Sequence, residues 1–416
     1  MDGNTLPPRS PVRYGALHGT SFRTLSLVIF ALLCFAVPGD QWLYSRTLHN
    51  RLPAAAERAA NTASAATLPV ADSAKAPRRP LLIFRYDFNC GGFGDFIKGM
   101  VSSMQIASIA GCDFRVDLSR HPFASVLPIM PGLAANASAC ALPADNPHVF
   151  NIVDWLSSSS RLAVRNALFA ELASGAISVG DTITVVQANL AMSREIAGVV
   201  GAGPDTTTEL AERFMATFYK SVVDGAALGT FWPAESATAF RVAVHLREGD
   251  RYIEHATFNK DDSRVGDQAA MARALAGIFS VVAAEAPLGA PKIAFACGDT
   301  MQAREMLRAA LAPHAAVVVS PEPPVHIGYS SILDVSDSAF ALRGALNTAR
   351  EHHTLASATI LFSLSRSGFS QTACSTAAAG GRAVSSMPRC FVRVGANGDA
   401  WGPFDATSAN FLSAGS

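Results

Sequence analysis

A strand–turn–helix–strand pattern at residues 80–118 limits the folds open to this chain more than any other feature. Residues 80–86 form an apolar run typical of a buried strand, and glycines crowd the segment 91–94 that follows it. Residues 96–110 carry apolar side chains at helical spacing, and a second strand-like run occupies 112–118. Because such a unit joins parallel strands through a right-handed crossover, we expect an α/β fold with parallel sheets.

Strands and helices continue to alternate through the rest of the chain. The pattern predicts further strands at residues 182–187, 241–246, 292–297, 315–320 and 359–364. Helices are predicted at residues 210–223, 267–284, 300–311 and 336–352. Elements on this scale favour two Rossmann-like domains that face a cleft, with a boundary in the Gly- and Pro-containing segment 224–239. We therefore predict one domain at residues 80–235 and a second at residues 236–416.

The N-terminal segment predicts an association with a membrane. Residues 25–38 are almost entirely apolar, and arginines dominate the charges of the tail at residues 1–24. This bias predicts a cytosolic N-terminus and sends the rest of the chain into the secretory lumen. A normal span needs about 20 residues, so the run also fits a cleaved signal peptide. We favour a signal anchor, since no clear cleavage site follows, and expect a single-pass type II protein of the Golgi or ER membrane.

The composition agrees with a lumenal protein and argues against one class of partner. Residues 39–79 are rich in Ala, Ser, Thr and Pro, which predicts a flexible stem. Asn136 begins a glycosylation sequon. Lys+Arg and Asp+Glu balance at 33 each, so no nucleic-acid partner is expected. The cysteines that follow the apolar run can form up to three disulfides in any pairing, or some can be buried thiols: Cys90, Cys112, Cys140, Cys297, Cys374 and Cys390.

The glycine-rich turn after the first strand is one candidate for ligand binding. Gly91, Gly92 and Gly94 allow backbone N–H groups to approach a ligand, and the start of the following helix favours negative charge. The spacing fits neither a phosphate-binding Walker loop nor the dinucleotide fingerprint. A tight turn without a ligand is the competing interpretation.

The ends of three later strands are the other candidates. His245 and Arg247 follow the strand at 241–246, and an Arg guanidinium at a strand end suits phosphate oxygens. Asp299 ends the next strand and is predicted either to bind a base or ribose or to cap the following helix. The Ser- and Gly-rich segment 363–371 precedes a helix predicted from Thr372, and it is either an anion site or an ordinary helix cap.

The order of these motifs resembles the fucosyltransferase superfamily that includes α1,2-, α1,6- and protein O-fucosyltransferases. Residues 90–103 (CGGFGDFIKGMVSS) are similar to its glycine motif and following helix, and residues 245–250 (HLREGD) to its arginine motif. Residues 296–299 (ACGD) resemble its strand-end Asp motif, and residues 365–370 (SRSGFS) its late Ser/Gly-Phe-Ser motif. The arginine motif is the most specific of the four.

The resemblance implies a lumenal glycosyltransferase with a GT-B fold. It would move fucose from GDP-fucose to a glycan or glycoprotein with inversion, and would need neither a cofactor nor a metal. Arg247 would bind the donor's β-phosphate, His245 would help to build the same pocket, and Asp299 would read the guanine or ribose. Further residues would lie along the diphosphate or bring the N-terminal backbone near the sugar and acceptor: Ser365, Ser367, Gly368, Phe369, Ser370, Gly91, Gly92 and Gly94.

Two residues depart from the superfamily pattern and leave alternatives open. Glu248 stands where several members have a second Arg, and Asp95 stands where Asn is common. Asp95 is the first candidate for the general base, with Asp250 and Glu254 as others. The alternatives are a catalytically inactive relative that binds a GDP-sugar or glycan, and a GT-B enzyme that uses another nucleotide sugar.

Overall fold

The computed structural model describes part of the chain, and the described residues all belong to one compact unit within residues 75–416. They are residues 79–87, 90–118, 121, 148–153, 158–180, 182–203, 229–249, 268–325, 338–365, 367–379, 390–394 and 400–403. The predicted tail and anchor, nearly all of the stem, and the predicted helix at 210–223 lie outside the described residues. So do Asn136, Cys140, Asp250 and Glu254.

The first sheet consists of parallel strands with helices from the same part of the chain. Its strands are β1 (Leu81–Arg85), β2 (Asp113–Asp117), β3 (His148–Ile152) and β4 (Ile183–Ala188). Its helices are α1 (Phe93–Ala110), α2 (Ser158–Ser174) and α3 (Ser193–Val199). The strand order is β2-β1-β4-β3, and every pairing is parallel.

The second sheet is larger and ends in an antiparallel pair. Its strands are β5 (Phe240–Leu246), β6 (Lys292–Gly298), β7 (Ala316–Val319), β8 (Ile360–Ser363), β9 (Cys390–Val394) and β10 (Ala400–Pro403). Its helices are α4 (Gln268–Glu285), α5 (Met301–Leu311), α6 (Ser338–Ala356) and α7 (Gly368–Ala379). The order is β10-β9-β8-β5-β6-β7, and only β9 and β10 run antiparallel.

This strand order creates a switch point between β5 and β8. From β5 the chain moves outward to β6 and β7, and it then returns to the other side of β5 to form β8. Crossovers that leave in opposite directions open a crevice at the carboxyl ends of the two central strands, which is where open α/β sheets bind ligands. The residues after β5 and β8 are therefore the part of this sheet that is best placed to hold a ligand.

Alternating side chains of β5 face two different cores. Val242, Val244 and Leu246 pack in a cluster with residues of α4 and α5. Ala243 belongs to a separate cluster with residues of α6 and α7. Because successive strand residues point to opposite faces, this division shows that helices cover both faces of the sheet.

The structure confirms the predicted α/β fold with parallel sheets. Each predicted strand within the described residues is present within one or two residues of its expected ends. Two helices begin earlier than predicted: α1 begins at Phe93 rather than residue 96, and α7 begins at Gly368 rather than Thr372. Gly94 and Gly368 therefore lie in helices and not in turns. The predicted domain boundaries stay predictions. Among the described helices, none combines the length and the apolar character needed to cross a membrane.

Candidate nucleotide-sugar site

The ends of β5 and β8 are tied together at the switch point. The backbone N–H of Arg247 donates a 2.7 Å hydrogen bond to the Ser365 hydroxyl oxygen. The backbone N–H of Leu364 donates to the carbonyl of His245 at 2.9 Å. These bonds fix the backbone of Arg247, a half-buried residue that directly follows β5. The structure therefore brings the predicted residues Arg247 and Ser365 together.

Asp299 holds the loop that follows β5. Its two carboxylate oxygens accept backbone N–H groups from Glu248 at 2.9 Å and Gly249 at 3.3 Å. Burial raises the pKa of Asp299, and the Glu248 N–H bond, the nearby Arg247 charge and the Gly249 N–H bond oppose that rise. The predicted role of Asp299 as a helix cap is wrong, because the hydroxyl of Thr300 accepts the capping bond from Ala303. Asp299 instead positions the backbone next to Arg247.

Glu248 is directed toward the start of α5. Its carboxylate accepts a hydrogen bond from the Thr300 hydroxyl. Since Thr300 is the N-cap of α5, the negative charge lies at a helix N-terminus, where it is electrostatically favourable. The residue that stands in place of a second arginine thus has a local partner of its own.

His245 is a buried, neutral group at the same strand end. The residue is only 4% exposed, and the centroid of its ring lies 5.5 Å from that of the Phe369 ring. Burial, followed by the charges of Arg247 and Arg304, lowers the pKa of His245 from 6.5 to about 3. Its Nδ1 atom is buried and makes no hydrogen bond with the residues that the structure describes. A buried polar atom without a partner is costly, so a ligand group that satisfied it would be stabilised there.

The serine-rich segment after β8 forms a turn whose hydroxyl groups bond to one another. The hydroxyls of Ser363 and Ser370 lie 2.6 Å apart, and Ser370 also donates to the carbonyl of Ser367 at 3.2 Å. The Ser367 hydroxyl accepts the backbone N–H of Phe369 at 3.3 Å, as a helix cap does. Ser367 and Ser370 are almost completely buried. Their side chains build the turn that leads into α7.

The glycine turn before α1 packs directly against the start of α7. A Cβ atom built on Gly94 would lie 2.4 Å from the carbonyl carbon of Gly368. Gly94 was expected to approach a sugar or acceptor, but the structure uses its small size for contact between two helices. Gly91 has a φ of +111°, which favours glycine, and the carbonyl of Gly92 accepts a 3.1 Å hydrogen bond from the Tyr86 hydroxyl.

Aromatic rings fill the junction between the two helices. Phe93 of α1 lies 6.2 Å from Phe369 of α7, and His352 of α6 lies 5.2 Å from Phe93 and 5.3 Å from Phe369. The His352 Nε2 atom is 2.9 Å from the Thr372 hydroxyl. This packing holds the glycine turn of the first sheet beside the serine turn of the second. The predicted site residues from both halves of the chain therefore meet in one place.

Two charged groups of α1 form an ion pair at this junction, and only the first was predicted as a site residue. Asp95 lies in the first turn of α1, and its side chain is 30% exposed. Lys98 lies one turn later, and its Nζ is 3.2 Å from the Asp95 Oδ1 atom. Lys98 was not predicted as a site residue, because a single lysine at an apolar helix position gives no motif. Its low exposure, 8% for the residue, is visible only in the structure.

A buried ion pair supports the end of β6 and was also missed. The Arg304 guanidinium contacts the Glu351 carboxylate at 2.8 Å and donates to the carbonyls of Gly298 at 2.9 Å and Glu322 at 2.7 Å. Asn347 donates a second bond to the same Glu351 oxygen at 2.8 Å. Because Gly298 immediately precedes Asp299, this network anchors the backbone from which Asp299 extends.

The described cysteines form one disulfide, whereas up to three were predicted. Cys374 and Cys390 form a disulfide that joins α7 to β9. Cys112 and Cys297 are free thiols, so an arrangement of three disulfides among the six cysteines is wrong. Burial raises the pKa of the Cys297 thiol well above its ordinary value, with the Glu351 charge as the next cause. Cys297 is therefore a buried core thiol. No cluster of His, Cys, Asp or Glu suited to a metal occurs among the residues that the structure describes.

The solved structures that are similar to this chain include several fucosyltransferases. No protein-family model matches the sequence, and no curated protein matches it either. Fucosyltransferase NodZ from Bradyrhizobium is similar at 13% identity and a TM-score of 0.43, over 79% of this chain and 99% of that one. An Arabidopsis thaliana FUT1 mutant in complex with GDP is similar at 9% identity and a TM-score of 0.43, over 81% of this chain and 74% of that one. POFUT1 in complex with GDP-fucose gives 11% identity and a TM-score of 0.35, over 77% and 98%.

All three are fucosyltransferases, the class of enzyme whose motifs the sequence resembles.

Proposed function

We propose that this chain is an inverting glycosyltransferase of the GT-B type. It transfers fucose from GDP-fucose to a glycan or glycoprotein acceptor in the secretory lumen. The second sheet binds the nucleotide sugar, and the glycine turn of the first sheet faces the sugar and the acceptor. The order of the four motifs supports this proposal, and the geometry of the site supports it independently.

The observation that carries the proposal is the position of Arg247 at the switch point. Its backbone is held from one side by Ser365 after β8 and, through the next two residues, from the other side by Asp299 after β6. Three strand ends thus fix one guanidinium-bearing residue at the place where α/β sheets bind ligands. A surface arginine would need no such support.

Arg247 supplies the charge that glycosyl transfer requires. As the bond from the sugar to the diphosphate breaks, negative charge grows on the leaving β-phosphate oxygen. A guanidinium already fixed beside that oxygen stabilises the transition state more than the bound donor. The proposed reaction needs no metal or cofactor, because Arg247 provides this positive charge.

Asp95 is the proposed general base. A base has to accept the proton of the attacking acceptor hydroxyl, and it must therefore be accessible from the cleft. The Asp95 side chain is partly exposed at the start of α1, beside the start of α7. Its place on the first sheet's side of the junction suits a group that acts on the acceptor.

The proposed location follows from the N-terminal sequence and from the disulfide. Residues 25–38 act as a signal anchor, and residues 39–79 as a stem that carries the catalytic part into the lumen. The disulfide between Cys374 and Cys390 supports an oxidising compartment. The proposal gives a single-pass type II protein of the Golgi or ER membrane.

The experiment that tests the function measures GDP release by the full-length chain, purified in detergent, from a panel of GDP- and UDP-sugars. We expect turnover selective for GDP-fucose. In Arg247→Ala the rate should fall on the order of 100-fold, since one such transition-state contact is worth about 3 kcal/mol. Arg308→Ala, which removes an exposed arginine of α5, is the matched control and should leave the rate unchanged. Selective turnover of a different sugar would replace the donor, and equal rates in both variants would remove Arg247 from the mechanism.

A second candidate function is a GDP-sugar-binding relative without catalytic activity. The observation that favours it is Glu248, which replaces a cation of the superfamily and bonds to Thr300. Binding of GDP-fucose, measured by titration calorimetry, together with no GDP release would select this candidate.

A further inference from the structure

Arg304 of α5 is a buried arginine whose guanidinium joins three segments of the chain. The residue is 1% exposed, and its Nε donates to the carbonyl of Gly298, the last residue of β6, at 2.9 Å. One terminal nitrogen donates to the carbonyl of Glu322 at 2.7 Å and to that of Ser320, which directly follows β7, at 3.4 Å. The other terminal nitrogen contacts Glu351 of α6 at 2.8 Å. One side chain therefore fixes the carboxyl ends of β6 and β7 relative to each other and to α6.

The carboxylate that pairs with Arg304 is itself held in place by side chains around it. Asn347, one turn earlier in α6, donates to the same Glu351 oxygen at 2.8 Å. The Ser320 hydroxyl donates to the side-chain carbonyl of Asn347 at 2.9 Å. The network thus returns to the segment after β7, so that both partners of the ion pair bond to the same strand end.

Packing alone does not require an arginine at position 304. The other buried residues of α5, which are Ala303, Leu307 and Leu311, belong to an apolar cluster of the second sheet. A guanidinium beside them loses its hydration, and a buried ion pair often stabilises a fold no better than apolar residues would. The contribution that an apolar residue could not make is a fixed geometry at the ends of β6 and β7. That edge is where open α/β sheets bind ligands.

Two short steps connect Arg304 to Arg247. Gly298 directly precedes Asp299, and a Cβ atom built on Gly298 would lie 2.7 Å from the Ala303 Cβ, so the end of β6 packs closely on α5. The Asp299 carboxylate in turn accepts the backbone N–H groups of the two residues that follow Arg247. A shift at the end of β6 would therefore move the loop that begins with Arg247.

We propose that Arg304 is a positioning residue for Arg247. It fixes the end of β6 and, through Asp299, the loop after β5, and this keeps the Arg247 guanidinium aligned with the leaving β-phosphate. The inference rests on the proposed function. Because Arg247 stabilises the transition state more than the bound donor, the loss of Arg304 lowers kcat more than it raises KM.

The test replaces both partners in the full-length chain, Arg304→Met together with Glu351→Gln, so that no unpaired charge remains in the core. The variant should stay folded, with a cooperative urea transition, but its kcat for GDP release should fall about 10-fold with little change in KM. The matched control is Arg308→Met together with Glu305→Gln. It makes the same replacements at an exposed ion pair of the same helix and should leave kcat unchanged.

A cycle with Arg247→Ala separates positioning from a general loss of stability. A residue that acts only through Arg247 has no further effect once that side chain is removed, so the combined variant should release GDP at the rate of Arg247→Ala alone. Arg304→Lys serves the same comparison if the paired replacement does not fold, since it keeps the charge opposite Glu351 but lacks the fork that reaches three segments.

Two results would overturn the inference and leave the proposed function intact. One is an unchanged kcat in a folded Arg304 variant. The other is a loss of rate that multiplies with the loss in Arg247→Ala, because the arginine would then act by a route other than Arg247. No GDP release by the unmodified chain from any nucleotide sugar would overturn both the inference and the proposed function.

Discussion

At the scale of single residues, the site depends on groups whose protonation is set by burial. His245 is a strand-end histidine that the fold keeps neutral, with its pKa lowered from 6.5 to about 3. A neutral ring can donate or accept one hydrogen bond beside Arg247 without adding a second charge in the core. That property suits a residue that lines a phosphate pocket and does not itself pair with the phosphate.

This lowered pKa predicts a specific loss of stability in mild acid. The unfolded chain binds a proton at His245 below about pH 6.5, whereas the folded chain stays unprotonated until about pH 3. The neutral His245 therefore leaves the free energy of unfolding at its full value above pH 6.5, and this free energy falls as the pH drops from 6.5 toward 3. Between pH 6.5 and 5 the loss is about 2 kcal/mol, at about 1.36 kcal/mol per pH unit.

The variant His245→Gln tests this behaviour, since it cannot take up the proton. The free energy of unfolding, measured by urea denaturation at pH 7 and pH 5, should fall less in the variant than in the unmodified chain. The two proteins have the other titrating groups in common, so the difference between them reports on His245. Parallel losses of stability would show that the folded state already protonates His245 in this range.

At the scale of elements, the contact between α1 and α7 joins the two halves of the site. Gly94 and Gly368 meet where the helices begin, and Phe93 packs on Phe369 beside them. The donor side and the acceptor side of the proposed site therefore depend on one close helix contact. A small increase in volume there should disturb both.

Gly94→Ala and Gly92→Ala form a matched pair for this contact. A Cβ atom at position 94 would overlap the backbone of Gly368, but one at position 92 meets nothing within 4 Å. We expect Gly94→Ala to lower the free energy of unfolding by about 1–3 kcal/mol, the usual cost of overpacking. Gly92→Ala should cost much less, because its φ of −84° is open to any residue.

Thermal and chemical denaturation of the two variants gives the comparison. Equal destabilisation would mean that the α1–α7 contact is loose, and the shared site would lose its main structural support. GDP release by the same variants should follow the stability, with Gly94→Ala as the slower enzyme.

The elements that the sequence predicted and those it missed differ in burial. Strands such as β5 and β6 are apolar almost throughout, so their pattern identifies them. Helix α2 is largely exposed and carries few apolar repeats, and β3 buries only two of its five residues; neither was predicted. The predicted starts of α1 and α7 lie too late in the chain, because a glycine in a sequence usually indicates a loop. In this fold Gly94 and Gly368 lie in the first turns of the two helices, where the close contact between the helices leaves no room for a side chain.

The same limit applies to the site. Arg247, Asp299 and Ser365 directly follow predicted strands, where parallel sheets bind ligands, so they were predicted as site residues; the structure brings them together. Lys98 and Arg304 lie inside helices, and their position near the site is visible only from their contacts with residues far away in the sequence. The role of Asp299 was also beyond the sequence, because its partners are backbone groups of a loop about 50 residues away.

At the scale of the whole molecule, the proposal requires the catalytic part to be on the lumenal side of a membrane. The apolar run at residues 25–38 is predicted to give that topology, whether it stays as an anchor or is removed as a signal peptide. In both predicted forms the sequon at Asn136 enters the lumen. They differ in whether the mature protein remains attached to the membrane.

Expression of the full chain in a eukaryotic secretory pathway distinguishes these topologies. We expect a glycosidase-sensitive shift in gel mobility that Asn136→Gln abolishes, and retention in the membrane pellet after an alkaline wash. We expect retention because a positively flanked apolar segment that no clear cleavage site follows is predicted to stay in the bilayer. A glycosylated protein in the supernatant would indicate a cleaved signal and would keep the lumenal assignment. A protein without the glycan shift would argue against the lumen, and would leave the Cys374–Cys390 disulfide without the oxidising compartment that best explains it.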